Sequence, residues 1–164
     1  MPTNREPRVL LVDDEDQILQ GLYLQLHREF EVTTAQSGAE ALEELAKDQQ
    51  FAVLVSDMRM PGMDGAELLS NARRTCPDTV RVLLTGHADM DAAACAVNEG
   101  EIFRFLTKPI EGNQLRNALH EAARKHNQLT AERDLLEKTL GGTVEVLTNV
   151  LGIVNPEAFS CANR

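Results

Sequence analysis

The chain has 164 residues and carries 16 Lys and Arg against 26 Asp and Glu, a net charge of −10. That balance disfavours attraction to nucleic-acid phosphates or to an anionic membrane, and the length suits one domain with a well-developed core plus an appendage. Cys76, Cys95 and Cys161 are far apart and odd in number, which indicates neither a disulfide framework nor a zinc cluster. No leader pattern opens the chain and no apolar run nears the roughly 20 residues that span a bilayer, so the expectation is a cytoplasmic protein with neither a nucleic-acid nor a membrane partner.

Residues 1–7, MPTNREP, read as a loose polar arm. Short β-branched runs then follow at 8–13 (RVLLVD), 31–35 (EVTTA), 51–57 (FAVLVSD), 80–85 (VRVLLT) and 103–107 (FRFLT). Amphipathic stretches at about 16–29, 38–49, 64–75, 88–98 and 112 onward alternate with them. Five βα units predict an α/β fold, a doubly wound five-stranded parallel sheet. The first, third and fourth strands are nearly continuous apolar runs suited to the sheet centre, whereas EVTTA is polar enough for an edge. Ser37 with Glu40 forms a capping-box pattern, and Gly100 stands where a helix C-cap glycine belongs.

The last helical pattern runs from Asn113 to Leu140 without Gly or Pro. That is about 28 residues, or roughly 42 Å at 1.5 Å per residue, so an extended C-terminal helix is expected to project from the domain. A four-three seam at Leu115, Leu119, Ala122, His126, Leu129, Arg133, Leu136 and Leu140 includes two polar residues that weaken it as a coiled coil. Two readings stand, a solvated connector and a helix that pairs with a partner chain or output domain. Gly141 and Gly142 are expected to break the helix, and Val144, Leu147, Val150, Leu151 and Val154 then share one face of a short helix with nothing of its own to pack on. The chain divides on this reading into an arm (1–7), a domain (8–125), a linker helix (126–140) and the start of a truncated output domain or a short tail (141–164).

In an open parallel sheet, ligands gather outside the carboxyl ends of the strands. Those ends carry Asp13 and Asp14, Asp57, Thr85 and Lys108. Three close carboxylates repel one another, and a cation makes them tolerable at neutral pH. Oxygen ligands without His or Cys point to a hard octahedral ion, Mg²⁺ by preference with Mn²⁺ as a substitute. A plain metal site needs neither Lys108 nor Thr85. Beside the ion, a lysine cation and a hydroxyl make a receptacle for a phosphoryl group, with Asp57 the best-placed nucleophile. Lys108 precedes Pro109, where a cis peptide is cheap and would aim the lysine back into the site. An Asp at a strand end is by itself more often a helix cap than a ligand, and a lone Thr or Lys there is unremarkable; it is their conjunction in order that carries the inference.

The stretches LLVDDE (10–15), VSDMRMPGMDG (55–65), LLTG (83–86) and FLTKP (105–109) resemble the receiver domain of bacterial two-component response regulators, over residues 8 to about 125. The resemblance implies a flavodoxin-like strand order of 2-1-3-4-5. It implies that Asp57 is phosphorylated by a histidine kinase or phosphotransfer protein, and that Asp14, Asp57 and the Arg59 main-chain carbonyl bind Mg²⁺ directly while Asp13 acts through water. Thr85 and Lys108 would hold phosphoryl oxygens, and Phe105 takes the switch position that moves with Thr85. The surface of the fourth helix, fifth strand and fifth helix would report phosphorylation to an output domain or effector, or form a homodimer, as the linker helix would also allow. Phe105 lacks the hydroxyl that many receivers carry there, and GEIFRFLTK is one residue longer than the commonest pattern. Arg59 and His87, two past Asp57 and Thr85, stand as candidates for tuning acyl-phosphate lifetime, with solvated surface as the bland alternative. The last quarter is more weakly similar to regulators whose receiver is joined to an HD-type phosphohydrolase; with no HD pair here, such activity would belong to a longer parent. On this reading the chain is no enzyme beyond its own phosphorylation and dephosphorylation. The rivals are a phosphorylation-independent scaffold and a Mg²⁺-dependent aspartyl phosphatase, against which Glu15 stands where the second Asp would be needed.

Overall fold

The computed structural model describes residues 5–47, 50–98 and 102–154, of which 97–98 and 139–154 as backbone. Five strands, β1 (Arg8–Val12), β2 (Glu31–Ala35), β3 (Val53–Asp57), β4 (Val80–Thr85) and β5 (Arg104–Thr107), alternate with helices α1 (Asp16–Leu26), α2 (Gly38–Lys47), α3 (Gly65–Thr75), α4 (Met90–Asn98) and α5 (Gly112–Val154). All strand pairs are parallel and the order is β2-β1-β3-β4-β5. The doubly wound flavodoxin-like fold with an extended C-terminal helix is therefore present.

The apolar strands are central because both of their faces are covered. Leu10, Val12, Leu54 and Leu83 join one cluster with Leu45 of α2 and Leu68 and Leu69 of α3. Their alternate neighbours Val9, Leu11, Val53 and Val55, which a strand must aim at the opposite face, are equally buried. In the first turns of α5, Leu115, Ala118, Leu119 and Ala122 form a buried stripe at helical spacing. Truncating one of the fully buried leucines to Ala costs about 2–5 kcal/mol, transfer and cavity terms together.

Boundaries moved where local hydrogen bonds won over periodicity. The first helical pattern reaches residue 29, but α1 closes at Leu26, whose carbonyl accepts from the Glu29 and Phe30 amides and turns the chain into β2. The fourth begins in a short 3₁₀ helix, His87–Asp89, before α4. At α2 the Ser37 hydroxyl accepts from the Glu40 amide at 3.1 Å, as the capping box requires, while the Glu40 carboxylate reaches back one residue further, to the Gln36 amide at 2.8 Å. Gly100 lies outside the described residues.

One expectation is overturned. Gly141 and Gly142 do not break the last helix, since α5 continues through both to Val154. A glycine costs a helix only about 1 kcal/mol relative to Ala and keeps its amide donor, unlike proline, so two glycines weaken a helix without ending it. By its contacts the chain forms two compact units, residues 1–127 and 128–164. The second holds the later part of α5, and residues 155–164 lie outside the described residues.

Candidate functional site

Strand order reverses between β1 and β3, and the crevice at their carboxyl ends is where the fold leaves room for a ligand. Asp13 follows β1 directly and its amide donates to the Ala35 carbonyl at 3.2 Å, so the residue stays tied to the sheet edge. Asp57 is the last residue of β3, in register with Leu84. Beyond it the Met58 amide donates to the Leu84 carbonyl at 2.8 Å, and the Lys108 amide donates to the Thr85 carbonyl at 2.8 Å. Ladder-type bonds thus run past the strand ends and fix Asp13 and Lys108 by their backbone, with Asp57 held in β3.

The side chains converge. Lys108 Nζ lies 3.0 Å from Asp57 Oδ1 and 3.2 Å from Asp13 Oδ2, bridging the two carboxylates. Asp13 is buried and its other oxygen accepts from the Glu15 amide at 2.9 Å. Asp14 is exposed, yet one ligand atom each from Asp13, Asp14 and Asp57 lie within 4.8 Å of one another. Such an all-oxygen set, with spare lone pairs and one exposed member, fits a hard divalent cation. Thr85 is fully buried and its hydroxyl donates to the Gly86 carbonyl at 3.1 Å. Phe105 is half-buried against the core, and the Lys108–Pro109 peptide is cis.

Electrostatics follow from crowding. Burial raises the Asp57 pKa above its ordinary 3.8, with a further push from Asp13, and the hydrogen bond and charge of Lys108 only partly offset this. Burial alone would lower Lys108, but the hydrogen bond to Asp57 and the charges of Asp13 and Asp57 outweigh it and hold the ammonium above 10.5. One lysine thus bridges two of three carboxylates, and the cluster keeps a net negative charge that a cation would complete.

Two features escaped the sequence reading. A Cβ on Gly65 would collide with the Asp57 carbonyl, and the Gly65 amide donates to the Met58 carbonyl at 2.8 Å, so the loop after Asp57 closes onto the strand end only with glycine there. Arg59, far from a solitary solvated side chain, makes a two-bonded ion pair with Asp89, Nε to Oδ2 at 2.7 Å and Nη2 to Oδ1 at 3.1 Å. Asp89 holds the guanidinium above its already high ordinary pKa, chiefly through that hydrogen bonding. The Gly65 signal was readable as a glycine eight residues past Asp57. No spacing rule connects residues 59 and 89.

A family profile described as the response regulator receiver domain matches residues 9–120. The chain belongs to the response regulator receiver family. Among relatives, the transcriptional regulatory protein GlrR of Escherichia coli is 35% identical over 132 residues, which is 80% of this chain and 29% of that protein. The receiver therefore spans less than a third of that relative's length. Among solved structures, a Rhodopirellula baltica protein described as an adenylate cyclase superposes with a TM-score of 0.79 at 42% identity, covering 82% of this chain and 98% of that one. The signal receiver domain of an HD domain-containing protein from Pseudomonas fluorescens superposes with a TM-score of 0.72 at 36% identity, covering 82% and 96%. Among the described residues no helix of this receiver is long and apolar enough to cross a membrane.

Proposed function

We propose that this receiver is a phosphorylation-controlled switch whose phosphoacceptor is Asp57. The observation that carries the reading is Lys108 Nζ held 3.0 Å from Asp57 and 3.2 Å from Asp13, beside three carboxylates able to share one ion. A carboxylate oxygen of Asp57 bonds to the phosphorus of a phosphohistidine on a kinase or phosphotransfer protein as the P–N bond breaks, and the departing imidazole takes up a proton. Water later attacks that phosphorus, the bond to the Asp57 oxygen breaks, and inorganic phosphate and the carboxylate return. Lys108 neutralises charge on the phosphoryl oxygens in both steps. Asp14, Asp57 and the Arg59 carbonyl would hold Mg²⁺ or Mn²⁺ directly and Asp13 through water; bound there, the ion supplies positive charge to the phosphoryl oxygens.

The phosphoryl group adds roughly −1.5 to −2 charges. Its oxygens compete for the Thr85 hydroxyl, which the Gly86 carbonyl otherwise engages, and a shift of Thr85 and Phe105 would bias the surface of α4, β5 and α5 between two states. α5 would carry that bias to an output domain, an effector or a second copy. The likeness to a structure described as an adenylate cyclase and to the receiver of an HD domain-containing protein supports an output of the nucleotide-signalling kind in a longer parent.

The test is incubation with Mg²⁺ and acetyl phosphate, followed by intact mass. Wild type gains one phosphoryl group and Asp57→Asn none. Equal adducts on both, or none on either, would overturn the assignment.

A further inference from the structure

β2 is one edge of the sheet, and among the described residues it pairs with β1 alone. The Glu31 amide donates to the Pro7 carbonyl at 3.0 Å, and the Ala35 carbonyl accepts from the Asp13 amide at 3.2 Å. A parallel strand turns the N–H and C=O of every second residue to the same neighbour, so Glu31, Thr33 and Ala35 face β1 while Val32 and Thr34 present theirs outward. Natural edges are commonly guarded by Lys, Pro, a bulge or shortness. EVTTA has none of these: its register with β1 is unbroken, it is as long as β1 and β3, and its single charge, Glu31, is paired with Arg8 of β1 at 3.3 Å. The opposite edge, β5, is shorter and carries Arg104. Beside the β2 edge, a cavity of about 270 Å³ has Thr34 and the α1 residues Leu19, Tyr23 and Leu24 among its walls. Leu24 is 68% exposed and Tyr23 43%, so apolar surface adjoins the open edge.

We propose that β2 is a docking edge for a second copy of this chain, the two β2 strands pairing antiparallel about a two-fold axis at Thr33 so that both sheets join. The edge is complementary to itself. An antiparallel pair alternates residues that exchange both amide bonds with residues that exchange none. With Thr33 opposite Thr33, Val32 of each copy meets Thr34 of the other, and these are the residues whose backbone groups point outward. Among registers centred within β2, this one alone pairs both outward residues with residues of the strand. It also sets Glu31 opposite Ala35, so no acid meets an acid, and Thr33 against Thr33, a favourable cross-strand pair. The axis is perpendicular to the sheet and the interface isologous, so both α1 helices lie on one face and Tyr23 and Leu24 of each copy gain cover beside the joined edge. The carboxyl ends of the two sheets point in opposite directions, so neither sheet covers the other's Asp57 site. The area is small, which makes the dimer a transient one. None of this depends on the reading of Asp57 as phosphoacceptor.

Sedimentation equilibrium of the full chain, from about 10 µM to about 1 mM, should show a monomer–dimer equilibrium. Thr34→Pro removes an outward donor without touching a bond to β1, so the fold should survive while the dimer weakens by about tenfold or more. Leu24→Glu, at an exposed helix position, should weaken it by a similar factor. Added salt should tighten the dimer, because screening relieves repulsion between two chains of net charge −10 and leaves amide bonds and apolar cover intact. The register is tested in a Cys95→Ser, Cys161→Ser background under oxidised glutathione. Thr33→Cys should give a covalent dimer, since a non-hydrogen-bonded pair sets its Cα atoms about 4.5 Å apart, within disulfide reach. Glu31→Cys should not, its two copies lying roughly 14 Å apart across the joined strands. A wild type that stays monomeric throughout overturns the proposal, as does a dimer that salt loosens, that Thr34→Pro and Leu24→Glu both leave intact, or that the two cysteines cross-link equally. If circular dichroism shows that Thr34→Pro does not fold, Leu24→Glu and the cysteine pair decide.

Discussion

The two ends of the sheet are both charged, and they differ in balance. At the amino ends of the strands, Arg8 pairs with Glu31 at 3.3 Å and lies over the Phe51 ring at 4.7 Å, beside a cleft that Arg5, Glu6 and His126 also line. Each charge there has an opposite one within the same cluster. At the carboxyl ends, Asp13, Asp14 and Asp57 face one lysine, two of the four groups are buried, and both Asp57 and Lys108 are displaced from their ordinary pKa values. Charge alone therefore does not mark the proposed phosphoacceptor end of this receiver. An uncompensated, partly buried excess does, because it costs stability unless a ligand completes it.

The sharpest way to break this contrast is to remove the lysine that bridges two of those carboxylates. Lys108→Ala should slow phosphorylation of Asp57 by about 10²–10³-fold, the usual loss when one charge-stabilising donor is deleted, measured as adduct formation with acetyl phosphate. Arg8→Ala at the other end should leave that rate unchanged. A smaller Lys108 effect than Arg8 effect would reverse the assignment of ends.

Completing the site should stabilise the protein. At about 100 times its dissociation constant, Mg²⁺ contributes about 2.7 kcal/mol to a state that alone binds it. Thermal unfolding should shift upward by several degrees, Asp14→Ala should abolish the shift, and Glu15→Ala should retain it. Equal losses in the two variants would mean that the acidic cluster acts as diffuse charge with no division of labour.

The cost of the excess should be visible without metal. The folded-state pKa of Asp57 is raised, so its contribution to stability is complete below 3.8 and is lost as pH rises through the raised value. In chelator at neutral pH, Asp57→Asn should therefore melt higher than wild type, and the gap should close on acidification through the carboxylate range. Lys108 follows the same sign in a far higher window, since its raised pKa means that its contribution is present below 10.5 and disappears only as pH climbs through the higher folded value. A gap that widens on acidification would contradict the direction of the Asp57 shift.

The smallest effect belongs to the balanced end. Glu31 is more than half exposed, and Glu31→Ala should change stability by about 0–1 kcal/mol in denaturant titration.

Much of this was legible in the residues. Continuous apolar runs at RVLLV and VLVSD announced central parallel strands, and in such a sheet the carboxyl ends face one crevice, so the meeting of Asp13, Asp57 and Lys108 was legible in the residues. The Asp89 partner of Arg59 was not legible, because it lies thirty positions along the chain and no local pattern records that path. The fate of Gly141 and Gly142 was misread because glycine acts on a helix by degree.

The sequence by itself determined which chemistry is available at each strand end and on which side of the sheet it must lie, since strand direction and period follow from local backbone geometry. Tertiary structure decided the charge balance, namely that one lysine bridges two of three carboxylates, that Asp13 is buried while Asp14 is not, and that Arg59, two residues past Asp57, is held by an acid from another loop. Those facts depend on distances between segments far apart in the chain, and packing alone sets such distances.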